Sequence, residues 1–384
     1  MNKILFLLFT PRYSGAEIII KNLIENNNDI ESYVLVSKDY KNKIGKITFR
    51  TKYISRLERE NNLICNTIFR FLSNLYGLTK LLVQLQKNHH FDVIHINNLT
   101  LSIYSLPAAL YFRYKYPFLM LVWHSQNINY FEGDRIKVLE RLVRWTFNYT
   151  IVVSDAVRRK IGLNSSKIKL IYSGIDTNKF KFNSKLRIEL RKKYAIENRL
   201  VIGIFGTISF LKGQISLLRV FSEIANKTKL LHLIIIGNFS SPKIREQILN
   251  YEENIDKDKL TILSNVNNIH GYYSLTDIII NNTSDILSEP LGTTILEGMA
   301  CENIVLASRT GGTPEIIDEG INGFMFSPDN LYELERKLIY IIENFNNLKF
   351  IQKNARKKIV EKFDINNMVQ NFNNIILNQI NENT

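Results

Sequence analysis

Short apolar runs alternate along this chain with longer stretches of helical spacing, and that rhythm limits the fold more than any composition figure. The runs Ile4–Phe9, Tyr33–Val36, Val93–Ile96, Leu119–Trp123, Thr150–Val153 and Ile168–Tyr172 are too brief for helices. They read as strands buried on both faces, the pattern of a parallel sheet. Between most of them lie stretches such as Asn62–Lys87 and Asp134–Asn148, with helical periodicity. Strands alternating with helices imply right-handed βαβ crossovers. After a polar, basic stretch, Lys181–Arg199, the rhythm restarts with Leu200–Phe205, Leu231–Ile236, Leu260–Leu263, Ile278–Ile280 and Ile304–Ala307. The expected architecture is α/β, with two doubly wound, Rossmann-like domains facing a central cleft. They cover residues 1–180 and 200–363, and 181–199 forms a connection plus a helix.

The length of 384 residues suits two or three domains, each able to bury a core. Cys65 and Cys301 fit neither a disulfide framework nor a zinc knuckle, which points to a reducing cytosol. No apolar run approaches the roughly 20 residues of a membrane span. The start of the chain imitates a signal peptide, but Pro11-Arg12 cuts the apolar segment short, so a first strand is the better reading.

The charge is divided unevenly. Residues 1–200 hold 33 Lys+Arg against 15 Asp+Glu, or +18, whereas residues 201–384 hold 17 against 21, or −4. A basic half beside a mildly acidic one suggests an anionic partner on one side only. Nucleic acid, an anionic membrane surface and a phosphorylated substrate all meet that description.

In doubly wound sheets, ligands bind beyond the carboxyl ends of the strands, so the loops after strands are where a site belongs. The first, Thr10 to Glu17, holds Gly15 where a helix opens, a place at which backbone N–H groups can meet an anion. The same glycine serves turn geometry equally well. It is no dinucleotide fingerprint, because G-x-G-x-x-G is absent. The second, Ile204 to Gln214, offers Gly206 for close approach, then Thr207, then Lys212-Gly213 at the next helix start. A lysine there can meet a phosphate as a point charge, or simply be solvated.

The third loop, Ser288-Glu289-Pro290-Leu291-Gly292-Thr293-Thr294 followed by Ile295 to Ala300, is the most informative. Pro290 and Gly292 shape a turn, and free N–H groups around Gly292, Thr293 and Thr294 would face a phosphate at a helix start. Glu297 lies one helical turn beyond Thr293 and can accept two hydroxyl hydrogen bonds, as from a ribose diol. Glu289, ahead of the turn, can orient a polyol. The plain alternative is a helix cap at Glu289 and surface charge at Glu297.

These residues resemble the retaining GT-B glycosyltransferases of family 4, whose signature is E-P-x-G-x-x-x-x-E-A-M-A. Glu289 to Glu297 matches it, with Gly298 in place of the usual alanine. Ser14-Gly15-Ala16-Glu17 is similar to the family's G-G-x-E loop, and Asp92-Val93-Ile94-His95 to its D-V-V-H strand. Val152-Val153-Ser154, Ser173-Gly174-Ile175-Asp176 with Phe180, and Ala307 to Glu315 resemble further segments in the family's order.

The resemblance implies a nucleoside diphosphate sugar, with UDP or GDP, as donor and a glycan or lipid-linked hydroxyl as acceptor. Under it Glu297 binds the ribose, Glu289 the sugar hydroxyls, and Leu291, Gly292 and Thr293 the sugar and diphosphate through their backbone. Lys212 meets the diphosphate beside Gly206 and Thr207, and Gly15 lets its loop close over the phosphates. His124 takes the place of a histidine near the transferred sugar. It also implies that the last helix, 364–380, packs back on the first domain.

The reaction implied is glycosyl transfer with retention, without metal or other cofactor, in a cytoplasmic protein peripheral to the inner membrane face. Surface polysaccharide or lipopolysaccharide assembly is the family's natural setting. The sequence departs from the family in three places: Thr207 stands where an arginine is usual, Ser14 replaces a glycine, and Asn281 to Ser288 is long. Arg309 or Arg12 is the available substitute for the missing cation.

Asp256-Lys257-Asp258 imitates a D-x-D metal motif but falls in a charged turn ahead of a strand. A GT-B-fold epimerase would share the nucleotide site but needs further acid and base residues. A nucleic-acid binder would suit the charge, yet no RNP, helix-turn-helix or finger pattern is present. The basic half is better read as facing an anionic membrane, with Arg70, Lys80, Arg113 and Lys115 as contacts.

Overall fold

The computed structural model describes residues 1–8, 15–40, 44–54, 64–126, 134–162, 165–225, 230–252 and 255–383. The chain divides into two compact units, Met1–Gly174 with Ile365–Thr384, and Ile175–Asp364.

In the first unit, the apolar runs form β1 (Asn2–Leu7), β2 (Ile30–Ser37), β3 (Ile47–Thr51), β4 (Val93–Asn97), β5 (Met120–Ser125), β6 (Tyr149–Val152) and β7 (Ile168–Leu170). All pair in parallel, in the order β3-β2-β1-β4-β5-β6-β7. One core combines residues of these strands, Ile19, Ile20, Leu23 and Ile24 of the helix Gly15–Glu25, and Ile365, Met368, Phe372, Ile376 and Ile380 of the last helix, Ile365–Asn383. That last helix carries apolar residues at steps of three and four, and its stripe is what the sheet buries. The N–H of Gly174 also donates to Met368 Sδ.

The second unit contains β8 (Leu200–Phe205), β9 (Leu231–Ile236), β10 (Leu260–Leu263), β11 (Ile278–Asn281), β12 (Ile304–Ser308) and β13 (Phe324–Phe326). Its order is β10-β9-β8-β11-β12-β13, again parallel throughout. Each unit thus reverses its winding beside its first strand, between β1 and β4 and between β8 and β11. That reversal point is where doubly wound sheets leave a crevice for a ligand.

The first unit ends at Gly174, earlier than the 180 expected from sequence. Residues 181–199 are not a free connection. Their helix, Ser184–Lys193, aims Arg187 and Arg191 at the buried carboxylate of Asp277, at 2.6 and 2.5 Å, and Asp277 also accepts the Val201 N–H at 2.7 Å. Burial lowers the pKa of Arg191, with Asp277 opposing. Losing Asp277 would strand two guanidinium groups, a cost of about 3–5 kcal/mol. The partner lies far along the chain, so the polar composition of 181–199 gave no sign of it.

Candidate active site

Lys212 and Glu289 come from different loops, and the structure joins them. The strand β8 is followed by Gly206, whose φ of 118° only glycine adopts freely and beside which, among the described residues, no other atom lies within the reach of a Cβ. Gly213 closes the short turn Phe210–Lys212 in the left-handed region, and a Cβ there would come within 2.2 Å of the Asn282 carbonyl oxygen. Asn282 Nδ2 in turn donates to the Gly213 carbonyl at 3.0 Å, and the Ser284 N–H donates to the Leu211 carbonyl at 2.9 Å. These bonds lace the loop after β8 to the loop after β11. Lys212 Nζ then donates to the carboxylate of Glu289 in a part-buried ion pair.

Glu289 is fixed from other sides as well. Thr283 Oγ1 lies 3.1 Å from Glu289 Oε2 and 3.0 Å from Asn281 Oδ1. The peptide of Glu289 is held by the segment after β12: the Gly312 N–H donates to its carbonyl at 2.8 Å. Ser308 Oγ donates to the Thr283 carbonyl at 2.6 Å, tying the same strands' ends together. Glu289 therefore does not cap the following helix, Thr293–Ala300, which has no side-chain cap at all. Among the described residues, no acceptor meets the N–H groups of Thr293 and Thr294, so the helix start keeps donors free for an anion. Leu291 is buried beneath this turn. Gly298 packs on Ile279 of β11, where a Cβ would stand 3.1 Å from Ile279 Cγ1.

Glu297 lies one turn along that helix, where burial pushes its carboxyl up to about 7. The hydroxyl of Tyr273 donates to it at 2.6 Å and opposes the rise, as does the charge of Lys179. Tyr273 is itself fully buried, edge-on to Phe205 at the end of β8 with ring centroids 4.6 Å apart. Nothing in the sequence singled out Tyr273, Thr283 or Lys179: Tyr273 and Lys179 act on Glu297 from distant positions, and Thr283 carries no motif of its own.

Of the two cations proposed to replace the missing arginine, Arg309 alone lies among the described residues. Thr207 is exposed, and its carbonyl accepts from Gln214 Nε2 at 3.1 Å. Arg309 lies 3.9 Å from Glu319, and Arg12 lies outside the described residues. The carboxylates of Asp256 and Asp258 pair with Lys259 at 2.9 Å and Arg199 at 2.5 Å, ahead of β10 and away from the strand ends that carry the loops above. Among the described residues, no three His, Cys, Asp or Glu side chains gather as a metal site.

In the first unit, Gly15 opens the helix Gly15–Glu25 and is exposed; residues 9–14 of its loop lie outside the described residues. His124 stands near the end of β5, buried, with Nδ1 3.2 Å from Nε2 of His95 on the neighbouring β4. The rings meet nearly edge to face at 85°, and His95 rests against Phe6 and Phe372. Burial drives His124 down to about 3, and it drives His95 well below the usual histidine range, helped by His124 alongside. Both rings are therefore neutral at physiological pH. Among the described residues, His124 Nε2, His95 Nδ1, Asn97 Oδ1 and both amide atoms of Gln126 are buried without a hydrogen-bond partner. Unsatisfied polar atoms at strand ends are rare in a finished interior and mark a place where polar groups of a ligand can bind.

Two parallel doubly wound units, one with a lysine–carboxylate pair beside the start of the helix Thr293–Ala300 at its switch point, define a protein of the doubly wound α/β class. Residues 15–179 match the family model Glycosyltransferase Family 4, and residues 187–358 match Glycosyl transferases group 1. The chain belongs to this glycosyltransferase family.

An uncharacterized glycosyltransferase of Methanocaldococcus jannaschii is 22% identical over 369 residues, 93% of this chain and 92% of that one. A second from the same organism is 24% identical over 260 residues, 64% of this chain and 62% of the relative, so the chain spans less than two thirds of that protein. Among solved structures, Anabaena Alr3699/HepE in complex with UDP-glucose superposes with a TM-score of 0.79 at 22% identity, covering 99% of this chain and 98% of the other. Sucrose-phosphate synthase from Thermosynechococcus elongatus superposes at 0.78 with 16% identity, covering all of both chains. The fold is that of the GT-B glycosyltransferases.

Proposed function

We propose that the protein is a retaining glycosyltransferase that moves a sugar from a nucleoside diphosphate sugar, a UDP-sugar in the first instance, to a hydroxyl of a glycan or lipid-linked acceptor. The Lys212–Glu289 pair beside the bare start of Thr293–Ala300 carries this reading. In it the diphosphate of the donor takes Glu289's place on Lys212 Nζ and accepts the N–H groups of Thr293 and Thr294. Glu289 is released to accept sugar hydroxyls, still held by Thr283. Glu297 accepts the ribose diol.

As the bond from the sugar's anomeric carbon to the diphosphate oxygen breaks, negative charge grows on that oxygen. Lys212 and the helix start stabilise it, an effect worth about 2.7–4 kcal/mol per well-placed donor in comparable sites. The acceptor oxygen bonds to the anomeric carbon on the same face, and its proton passes to the departing diphosphate. No protein base and no metal enter this step. In the first unit His124, neutral and with Nε2 unpartnered among the described residues, is a group that can meet a ligand hydroxyl.

The acceptor side is read as a membrane surface, with cell-surface polysaccharide or lipopolysaccharide as product. Phe69, Leu72 and Tyr76 form one exposed stripe on the helix Ile64–His89, continued by Lys80. Val138, Leu142 and Trp145 form another on Asp134–Thr146. Tyr114, with Arg113 and Lys115 beside it, is 89% exposed on Leu106–Lys115. Aromatic and basic residues together suit an anionic interface, and among the described residues no helix is long and apolar enough to cross a membrane.

Titration calorimetry against UDP, GDP and ADP tests the donor site. Binding of UDP that weakens about 10–100-fold in Lys212→Ala is expected, the loss of one charge-assisted contact. Equal binding by wild type and variant, or no binding of any of the three, overturns the reading.

A further inference from the structure

The first unit has a second concave site, at the other end of its sheet from the histidine pair. A cavity of about 510 Å³ opens where β6 and β7 begin, lined by Arg113, Tyr149, Ser166, Lys167, Lys169 and Gln379 among others. Its charged lining is wholly cationic: no Asp or Glu side chain borders it. Among the described residues, none of Arg113, Lys167 and Lys169 has a carboxylate partner. Arg113 is instead oriented by its own neighbours, donating to the Trp145 carbonyl at 2.7 Å with its guanidinium 4.8 Å from the Trp145 ring centroid. Lys169 lies over the Tyr149 ring at 5.4 Å, and the Tyr149 hydroxyl donates to Gln379.

Three cations gathered round one cavity repel one another, and the fold gives them no counter-charge. By contrast, Arg187 and Arg191 share the carboxylate of Asp277. A ligand that supplies the missing negative charge relieves this repulsion and gains charge-assisted hydrogen bonds. A guanidinium, two flexible ammonium groups and the Ser166 hydroxyl together match the several oxygens of a phosphate group.

We propose that this cavity is a binding site for a phosphate group, separate from the loops proposed to hold the donor. It stands independently of the glycosyl-transfer reading, whose donor loops lie in the second unit. The phosphate comes either from a lipid headgroup, since Arg113 also belongs to the exposed aromatic–basic surface, or from a soluble phosphate ester or ion.

The test compares the full-length protein with the double variant Lys167→Ser, Lys169→Ser. Inorganic phosphate and glycerol 3-phosphate are titrated calorimetrically, and vesicles of 30% phosphatidylglycerol in phosphatidylcholine are co-sedimented, with UDP binding as a check on folding. Binding in either arm that weakens at least about ten-fold in the variant, with UDP affinity unchanged, supports the site and identifies its source. Binding equal in both proteins, or no binding in any arm, overturns it. If UDP affinity changes too, Lys167→Gln alone is measured, and an unaltered phosphate affinity in that variant overturns the proposal.

Discussion

The two units repeat one strand order, yet they finish the carboxyl ends of their central strands in opposite ways. Beside β8 and β11 stands a formal ion pair, Lys212 with Glu289, braced by Thr283 and the Gly312 peptide. Beside β4 and β5 stand two histidines that burial keeps neutral, each with one ring nitrogen unpartnered among the described residues. The first arrangement suits a ligand whose charge changes during the reaction; the second suits neutral hydroxyls. The difference shows that one shared scaffold can carry loop ends of opposite electrostatic character, a charged pair in one unit and neutral rings in the other.

Substitutions in the second unit test this contrast most severely. Glu289→Ala should lower the transfer rate about 100–1000-fold, measured with a saturating donor. A loss under ten-fold would remove Glu289 from the reacting sugar. Gly213→Ala should come next. The methyl group meets the Asn282 carbonyl, so the two loops must part, and thermal melting should show a loss of about 1–3 kcal/mol together with weakened UDP binding. An unchanged melt would mean that the lacing of the loops is dispensable.

In the first unit, His124→Ala should slow transfer about 10–50-fold and leave UDP affinity within about two-fold, since the change removes a hydrogen bond in the other unit. Any step in the wild-type rate between pH 5.5 and 8 should survive in His124→Ala, because His124 titrates near 3 whereas Glu297 titrates near 7. A step in that range abolished by His124→Ala would contradict a neutral ring.

The smallest effect concerns Glu297. Its folded pKa, about 7, lies above its ordinary value of 4.5, so the folded state holds the proton more tightly than the unfolded chain. The stability from this group is complete below about 4.5 and is lost as pH rises through about 7. Glu297→Gln should therefore melt about 2–4 °C higher than wild type at pH 8.5, relative to the difference between them at pH 4.5. A difference independent of pH would show that the carboxyl is not raised.

Much of the scaffold was legible because buried parallel strands leave continuous apolar runs. Leu200–Phe205, Leu231–Ile236 and Leu260–Leu263 were readable to the residue. The strands that escaped notice, β3 and β13, are the outermost of their sheets. β3, Ile47–Thr51, is mostly half-exposed, and β13 is only three residues long. Neither carries a long apolar signal, and their place is decided by the neighbour they pair with. The loops of the site were legible for a similar reason: glycine, proline and charge stood at the ends of strands, where the fold leaves backbone groups free.

By itself the sequence determined two parallel α/β units and pointed to the strand-end loops and to Lys212, Glu289 and Glu297 as candidates. Local periodicity and turn chemistry act over a few residues, and a sequence displays them directly. Tertiary structure alone decided that Lys212 meets Glu289, that Tyr273 holds Glu297, that His95 turns to His124, and that 181–199 grips Asp277. Each pairing joins residues tens of positions apart, through burial and hydrogen bonds that exist only once the sheets have assembled.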